Sequence, residues 1–192
     1  METELATTTT TPVSTAPGEH FHIDISAIRE NARKDVLEGA HTSSYQGDVE
    51  EVVELLNHAL ATELVCVLRY KMHHFTAVGL SSESIAAEFA VHAQDEQEHA
   101  DRIAGRIVQL GGKPDFSPTG LAERSHSDYV ACNSLNEMIR ENLIAERIAI
   151  DTYREMIRYI GDKDPTTRRM LEDILAKEEE HADELADWSK RQ

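Results

Sequence analysis

The chain has 192 residues, 36 of them acidic and 19 basic, for a formal charge of −17. Such a surface repels duplex DNA and anionic membranes and concentrates cations. Two cysteines without a Cys-x-x-Cys spacing exclude a rubredoxin-type or zinc-ribbon module and a disulfide scaffold. The length suits one domain with short appendages, and nine glycines with 5% aromatic residues suit long helices better than a β fold.

Residues 1–20 are rich in threonine and proline, lack hydrophobic periodicity and contain no lysine or arginine, so a disordered tail is expected there. Met1-Glu2-Thr3-Glu4 has no basic segment and no apolar run follows, which predicts a cytoplasmic protein without a signal peptide. No stretch is long and apolar enough to span a bilayer. Residues 21–47 read as a short helix and linker, with Ile25, Ile28, Ala32 and Val36 on one stripe and Gly39 at the helix end.

Four long helices are predicted from residue 48 to 192. The first begins after Asp48, with Glu51 completing a capping pattern, and ends near Gly79. The second runs from about Ser82 to Gly111-Gly112. The third starts at Ser134, with Glu137 three residues on, and ends at Gly161; the fourth runs from Pro165 to near Trp188. Between the second and third, residues 112–133 form a long connection. It leaves room for a crossover along the bundle, whereas a simple up-down-up-down bundle would need no such loop.

One segment occurs twice. Glu96-Gln97-Glu98-His99-Ala100-Asp101 returns as Glu178-Glu179-Glu180-His181-Ala182-Asp183. Each copy holds a Glu-x-x-His pair, and residues three apart share a helix face. Upstream of each, a glutamate interrupts an apolar stripe: Glu63 among Ala59, Leu60, Cys66 and Val67, and Glu146 among Leu143, Ala149 and Ile150. Glu63 precedes Glu96 by 33 residues and Glu146 precedes Glu178 by 32. The two midpoints fall at Gly79-Leu80, beside Ser81-Ser82 as N-caps, and at Asp162 within Gly161-Asp162-Lys163-Asp164-Pro165. Two hairpins are therefore expected, each aiming two carboxylates and one imidazole inward at one level.

Four buried carboxylates at one level cannot all ionise alone, because each raises the others' pKa. Two divalent cations resolve this, +4 against −4, with neutral imidazoles completing the coordination. Carboxylates with imidazole and no thiolate suit iron or manganese. Cys66 reads as a packed thiol one turn from Glu63, and a Cys66–Cys132 bridge is not expected. His73, His74 and His92 read as surface histidines rather than ligands on an iron access path, and the acidic pairs Glu50-Glu51 and Asp183-Glu184 as solvated faces.

From about Asp48 to Trp188 the chain resembles the ferritin-like di-iron carboxylate proteins, above all bacterioferritins and bacterioferritin-related Dps-like proteins. The segments that carry the resemblance are LNHALATELVCVLRY (56–70), DEQEHADR (95–102), NLIAERIAIDTYREMI (142–157) and EEEHADEL (178–185). It implies an all-α, ferritin-like antiparallel four-helix bundle with two iron ions per subunit. Glu63 and Glu146 would be terminal ligands, Glu96 and Glu178 bridging ligands, and His99 and His181 one ligand for each metal. Tyr70, two turns after Glu63, matches a tyrosine that the family keeps beside the site. It also implies a ferroxidase that oxidises Fe²⁺ with O₂ or H₂O₂ and stores ferric mineral in a hollow homo-oligomer.

Where bacterioferritin carries its haem-ligating methionine this chain has Gln97, so no haem is expected. Only eleven residues follow His181, too few for the short fifth helix of a 24-mer, which favours a dodecamer. Arg147 stands where one Dps-like branch has a cysteine, and the acidic composition makes DNA binding unlike that of typical Dps proteins. The rival readings are a peroxidase, catalase or oxygenase with iron or manganese on the same scaffold, and a Dps-type DNA-protecting protein.

Overall fold

The computed structural model describes residues 21–34, 36–37, 39–79 and 82–191. The expected tail, residues 1–20, lies outside them, as do Leu80 and Ser81 of the first expected turn. The chain divides into two units, residues 1–36 and 37–192. In the first, α1 spans Ile25–Lys34, shorter than the stripe ending at Val36 suggests. Its start is fixed by Asp24, whose side chain accepts the Ala27 amide at 2.9 Å.

The second unit is built from α2 (Val49–Thr76), α3 (Ser82–Gln109), the short α4 (Leu121–Arg124), α5 (Leu135–Ile160) and α6 (Pro165–Arg191), all-helical among the described residues. The caps are largely those the sequence spells out. Asp48 accepts the Glu51 amide, and Ser134 accepts the Glu137 amide. The Glu137 carboxylate reaches back to the Asn133 amide, closing a reciprocal box one residue wider than the usual one. At the end of α3, Gly111 is left-handed (φ +81°) and the Gly112 amide bonds to Ile107, a glycine-terminated helix end. A Cβ on Gly112 would lie 2.7 Å from Val53, so this end of α3 sits hard against α2. The first hairpin differs from expectation: α2 stops at Thr76, and Ser82 donates to the Gly79 carbonyl instead of capping α3.

The long connection resolves the topology. It runs alongside α2, with Asn57 bonded to Lys113 and Asp115, His58 to Arg124, Thr62 to His126, and Arg69 to Ser127 and Asp128. α5 then starts beside the C-terminal half of α2 and runs antiparallel to it, so Tyr70 meets Glu146 and Tyr153 meets Glu63. α3 and α6 are antiparallel too, joined at His92–Glu184, Asp95–His181 and Arg102–Asp173. The bundle is up-down-down-up, with the crossover carrying α4, a helix that the sequence pattern does not signal.

The apolar core lies in two clusters. One holds Leu56, Leu60, Ile103, Ile107, Leu171 and Ile174; the other holds Tyr70, Phe89, Ile139, Met138 and Leu185. Near the first, Asp164 closes the α5–α6 turn. It accepts the Thr167 amide as N-cap of α6, both its oxygens lie 2.9 Å from the Arg106 guanidinium, and Tyr45 donates to it. Arg106 and Asp164 are both buried. Removing one partner strands a buried charge, so Asp164→Ala should lower stability by about 3–5 kcal/mol, and Tyr45→Phe by about 1 kcal/mol. Chemical denaturation of both variants measures this.

Candidate metal centre

The six acids and histidines predicted from the sequence converge. Glu63 comes from α2, Glu96 and His99 from α3, Glu146 from α5, and Glu178 and His181 from α6; none is more than 4% exposed. They form two overlapping donor groups, Glu63–Glu96–His99–Glu178 and Glu96–Glu146–Glu178–His181. In each group the donor atoms lie within 4.8 Å of one another, and Glu96 and Glu178 belong to both.

The donor set has more acceptors than it has protons to offer. Around His99 Nδ1 stand three carboxylate oxygens, from Glu178 at 2.9 Å, Glu96 at 3.2 Å and Glu63 at 3.4 Å. One N–H serves one of them, Glu96. Around His181 Nδ1 stand Glu96, Glu178 and Glu146 oxygens at 3.6, 3.8 and 4.0 Å, none in hydrogen-bond geometry. Glu63 Oε2, Glu96 Oε1, both Glu178 oxygens and His181 Nδ1 are buried without a hydrogen-bond partner. Orphaned buried ions cost on the order of several kcal/mol each. A pair of cations removes that cost, so these residues fit a dinuclear metal site.

Electrostatics of the metal-free cluster tell the same story. Burial, then the Glu178 and Glu96 charges, hold the Glu63 carboxyl well above its usual range; burial, then Glu96 and Glu178, do the same to Glu146. Burial also opposes ionisation of Glu96, but the His181 and His99 imidazoles outweigh it and hold that carboxyl well below. Burial pulls His181 down, yet Glu178 and Glu96 push it up to about 11, and His99 moves strongly in the same direction. Without metal, the site therefore gathers protons on its own imidazoles as substitute cations.

A second ring of residues holds these donor side chains. His181 Nε2 donates to Asp95 at 3.1 Å, which leaves Nδ1 facing the carboxylates. Tyr70 donates to Glu146, as its expected place beside the site requires, and Tyr153 donates to Glu63. Tyr153 is absent from the sequence prediction, although a signal exists: it follows Glu146 by seven residues, as Tyr70 follows Glu63. Arg69, also missed, is fully buried. Its guanidinium binds Asn142, Ser127 and the Asp128 carbonyl and places a fixed cation beside Cys66.

Two expectations are corrected. His73 and His92 are buried rather than on the surface, because each meets a polar partner inside the bundle: Asn142 for His73, and Tyr70 and Glu184 for His92. Glu184 is partly buried as a residue but keeps its side chain 44% exposed, and Asp183 is exposed. Cys66 is a packed thiol whose pKa burial pushes up, and both cysteines are free.

Fold and site together define a ferritin-like bundle. The family profile described as a ferritin-like domain matches residues 53–191, and the chain belongs to that family. It is 31% identical to the bacterioferritin of Mycobacterium avium over 141 residues, covering 73% of this chain and 84% of that one. A nutrient stress-induced DNA-binding protein of Synechococcus sp. is 31% identical over 147 residues, 71% of this chain and 79% of that protein. Among solved structures, the bacterioferritin-related protein of Bacteroides fragilis, described as a dodecameric thioferritin, superposes with a TM-score of 0.73 at 31% identity. The alignment covers 76% of this chain and 88% of that one. No described helix is long and apolar enough to cross a membrane.

The buried histidines outside the cluster give a pH signature. Burial, then the Arg69 charge, pull His73 down to about 4. It therefore stays neutral in the folded protein while the unfolded chain protonates near its ordinary value of about 6.5. Its contribution is present above that value and lost as pH falls toward about 4. The stability difference between wild type and His73→Gln should shrink steadily from pH 7 toward pH 4.5 in urea titrations of the metal-free protein.

Proposed function

We propose that the protein oxidises Fe²⁺ at a dinuclear site within one bundle and stores the product as ferric mineral inside a hollow homo-oligomer. The observation that carries this reading is the set of orphaned carboxylate and imidazole atoms shared between two overlapping donor groups. Family membership and the 31% identity to a bacterioferritin support it.

Each residue has a role that follows from its position. Glu96 and Glu178, common to both groups, bridge the two substrate ions. Glu63 with His99, and Glu146 with His181, complete one ion each. Tyr153 and Tyr70 hold the terminal carboxylates by one oxygen, which leaves the other to face the metal. Asp95 holds the proton of His181 on Nε2, so that Nδ1 offers its lone pair. Bound as a pair, two ferrous ions would supply the two electrons that, with two protons from solvent, take H₂O₂ to two waters or O₂ to H₂O₂. With charge-matched ligands, the product retains a place to form before it leaves for the mineral. Haem has no part in this reading, and neither has duplex DNA, which a chain of charge −17 repels.

Glu178→Ala and His181→Ala should abolish rapid Fe²⁺ oxidation, followed by stopped-flow absorbance with either oxidant. Far-UV circular dichroism should stay at the wild-type level, since apolar replacements in a buried ionic cluster need not unfold the bundle. Oxidation at wild-type rates in both variants would refute the site.

A dodecamer is the assembly we favour, following the dodecameric relative at a TM-score of 0.73. Native mass spectrometry should find a species near twelve times 21.5 kDa. A mass twice that would refute the size.

A further inference from the structure

The two hairpins match position for position at the site: Glu63 with Glu146, Tyr70 with Tyr153, Glu96 with Glu178, and His99 with His181. Among the flanking positions where the match breaks, three set the character of the two ends. Four residues before the shared glutamate stand His92 in one hairpin and Ile174 in the other. Three residues after the histidine stand Arg102 and Glu184, and seven after it Arg106 and Trp188. These differences give the two ends of the centre opposite characters. At the Tyr153 end, Ile174 is sealed in the apolar cluster, and the α3–α6 seam is closed by Arg102–Asp173 and Arg106–Asp164 pairs, in which a guanidinium already neutralises each carboxylate.

At the Tyr70 end, a polar line runs from surface to site. The Glu184 side chain is 44% exposed, and its Oε2 lies 2.9 Å from His92 Nε2. His92 is 1% exposed, with its ring stacked on His181 at 4.0 Å between centroids and on Trp188 at 5.8 Å. The other ring nitrogen, Nδ1, lies 3.2 Å from the Tyr70 hydroxyl, which donates to Glu146. His92, Glu146 and His181 each place a donor atom within 4.8 Å of the others. One imidazole thus presents a nitrogen to the exposed carboxylate and a nitrogen to the ligand set.

We propose that Glu184 and His92 form the access route by which a divalent cation reaches Glu146 and His181. The proposal rests on the metal-centre reading above. An exposed carboxylate can take a hydrated cation from solvent, and a neutral imidazole behind it can replace lost water. Lys177 also feels Asp95 and Glu184, but its ammonium is held by Glu180 at 2.5 Å. At the opposite end the exposed Asp173 carboxylate is already paired with Arg102, and buried Ile174 closes the way behind it. Loading from one end also gives the two positions an order: the ion bound by Glu146 and His181 exchanges with solvent, and the ion bound by Glu63 and His99 arrives through it.

Anaerobic stopped-flow loading of the full chain with Co²⁺, read from its ligand-field absorption, tests this without any turnover. Three variants are compared with wild type. Glu184→Gln removes the exposed carboxylate; His92→Ile gives this half the residue of the other; Glu172→Gln removes an exposed carboxylate elsewhere on α6 and controls for overall charge. All should bind two Co²⁺ per chain at equilibrium. Loading should slow roughly tenfold or more in Glu184→Gln and His92→Ile, and change by less than about twofold in Glu172→Gln. Wild-type loading rates in Glu184→Gln and His92→Ile would overturn the route, as would equal slowing in Glu172→Gln. A drop to one Co²⁺ in His92→Ile would overturn it too, because His92 would then be a resident ligand. Failure of wild type to bind two Co²⁺ would instead remove the metal-centre reading itself.

Discussion

Four carboxylates and two imidazoles buried at the middle of a helical bundle set the terms for everything around them. Apolar packing cannot satisfy these groups, and their mutual repulsion opposes folding. The protein meets this with directed hydrogen bonds from outside the cluster: two tyrosines to the terminal carboxylates and Asp95 to His181. It adds a fixed cation, Arg69, whose guanidinium is anchored by the crossover segment. Some acceptors still have no partner, and they are the atoms best placed to face metal. The structure thus keeps a residual electrostatic demand that two divalent cations satisfy.

The duplicated hairpin explains how one chain builds such a site. Matching halves related by approximate two-fold symmetry supply equal ligand sets, and each half's tyrosine crosses to hold the other's carboxylate. Symmetry is kept where the ligands lie and abandoned where the site meets solvent. Ile174 and the arginine pairs close one end, whereas His92 and Glu184 leave a polar line at the other.

The site was legible in the sequence because its signal is arithmetic. Near-equal spacing from glutamate to Glu-x-x-His, 33 and 32 residues, with Gly161–Pro165 at one midpoint, places the donors level. Capping chemistry likewise marked both ends of α5 and the start of α6 to within a residue. Burial of His73, His92 and Arg69 was not legible, since polar residues carry no periodic mark and their partners, Asn142, Glu184 and Ser127, lie 58 to 92 residues away. Tyr153 was legible and missed: the seven-residue step from Glu63 to Tyr70 repeats from Glu146. The crossover was expected from the length of residues 112–133, which a simple up-down-up-down bundle would not need, and their bonds along α2 bear it out.

The central claim is that this bundle holds two metal ions between Glu96 and Glu178. Anomalous diffraction at the iron edge, from crystals soaked anaerobically in Fe²⁺, tests it most directly. The account predicts two peaks within each subunit, one reached by Glu63 and His99 and the other by Glu146 and His181, with Glu96 and Glu178 between them. Iron found only at surface carboxylates, with the six buried side chains unliganded, would contradict it.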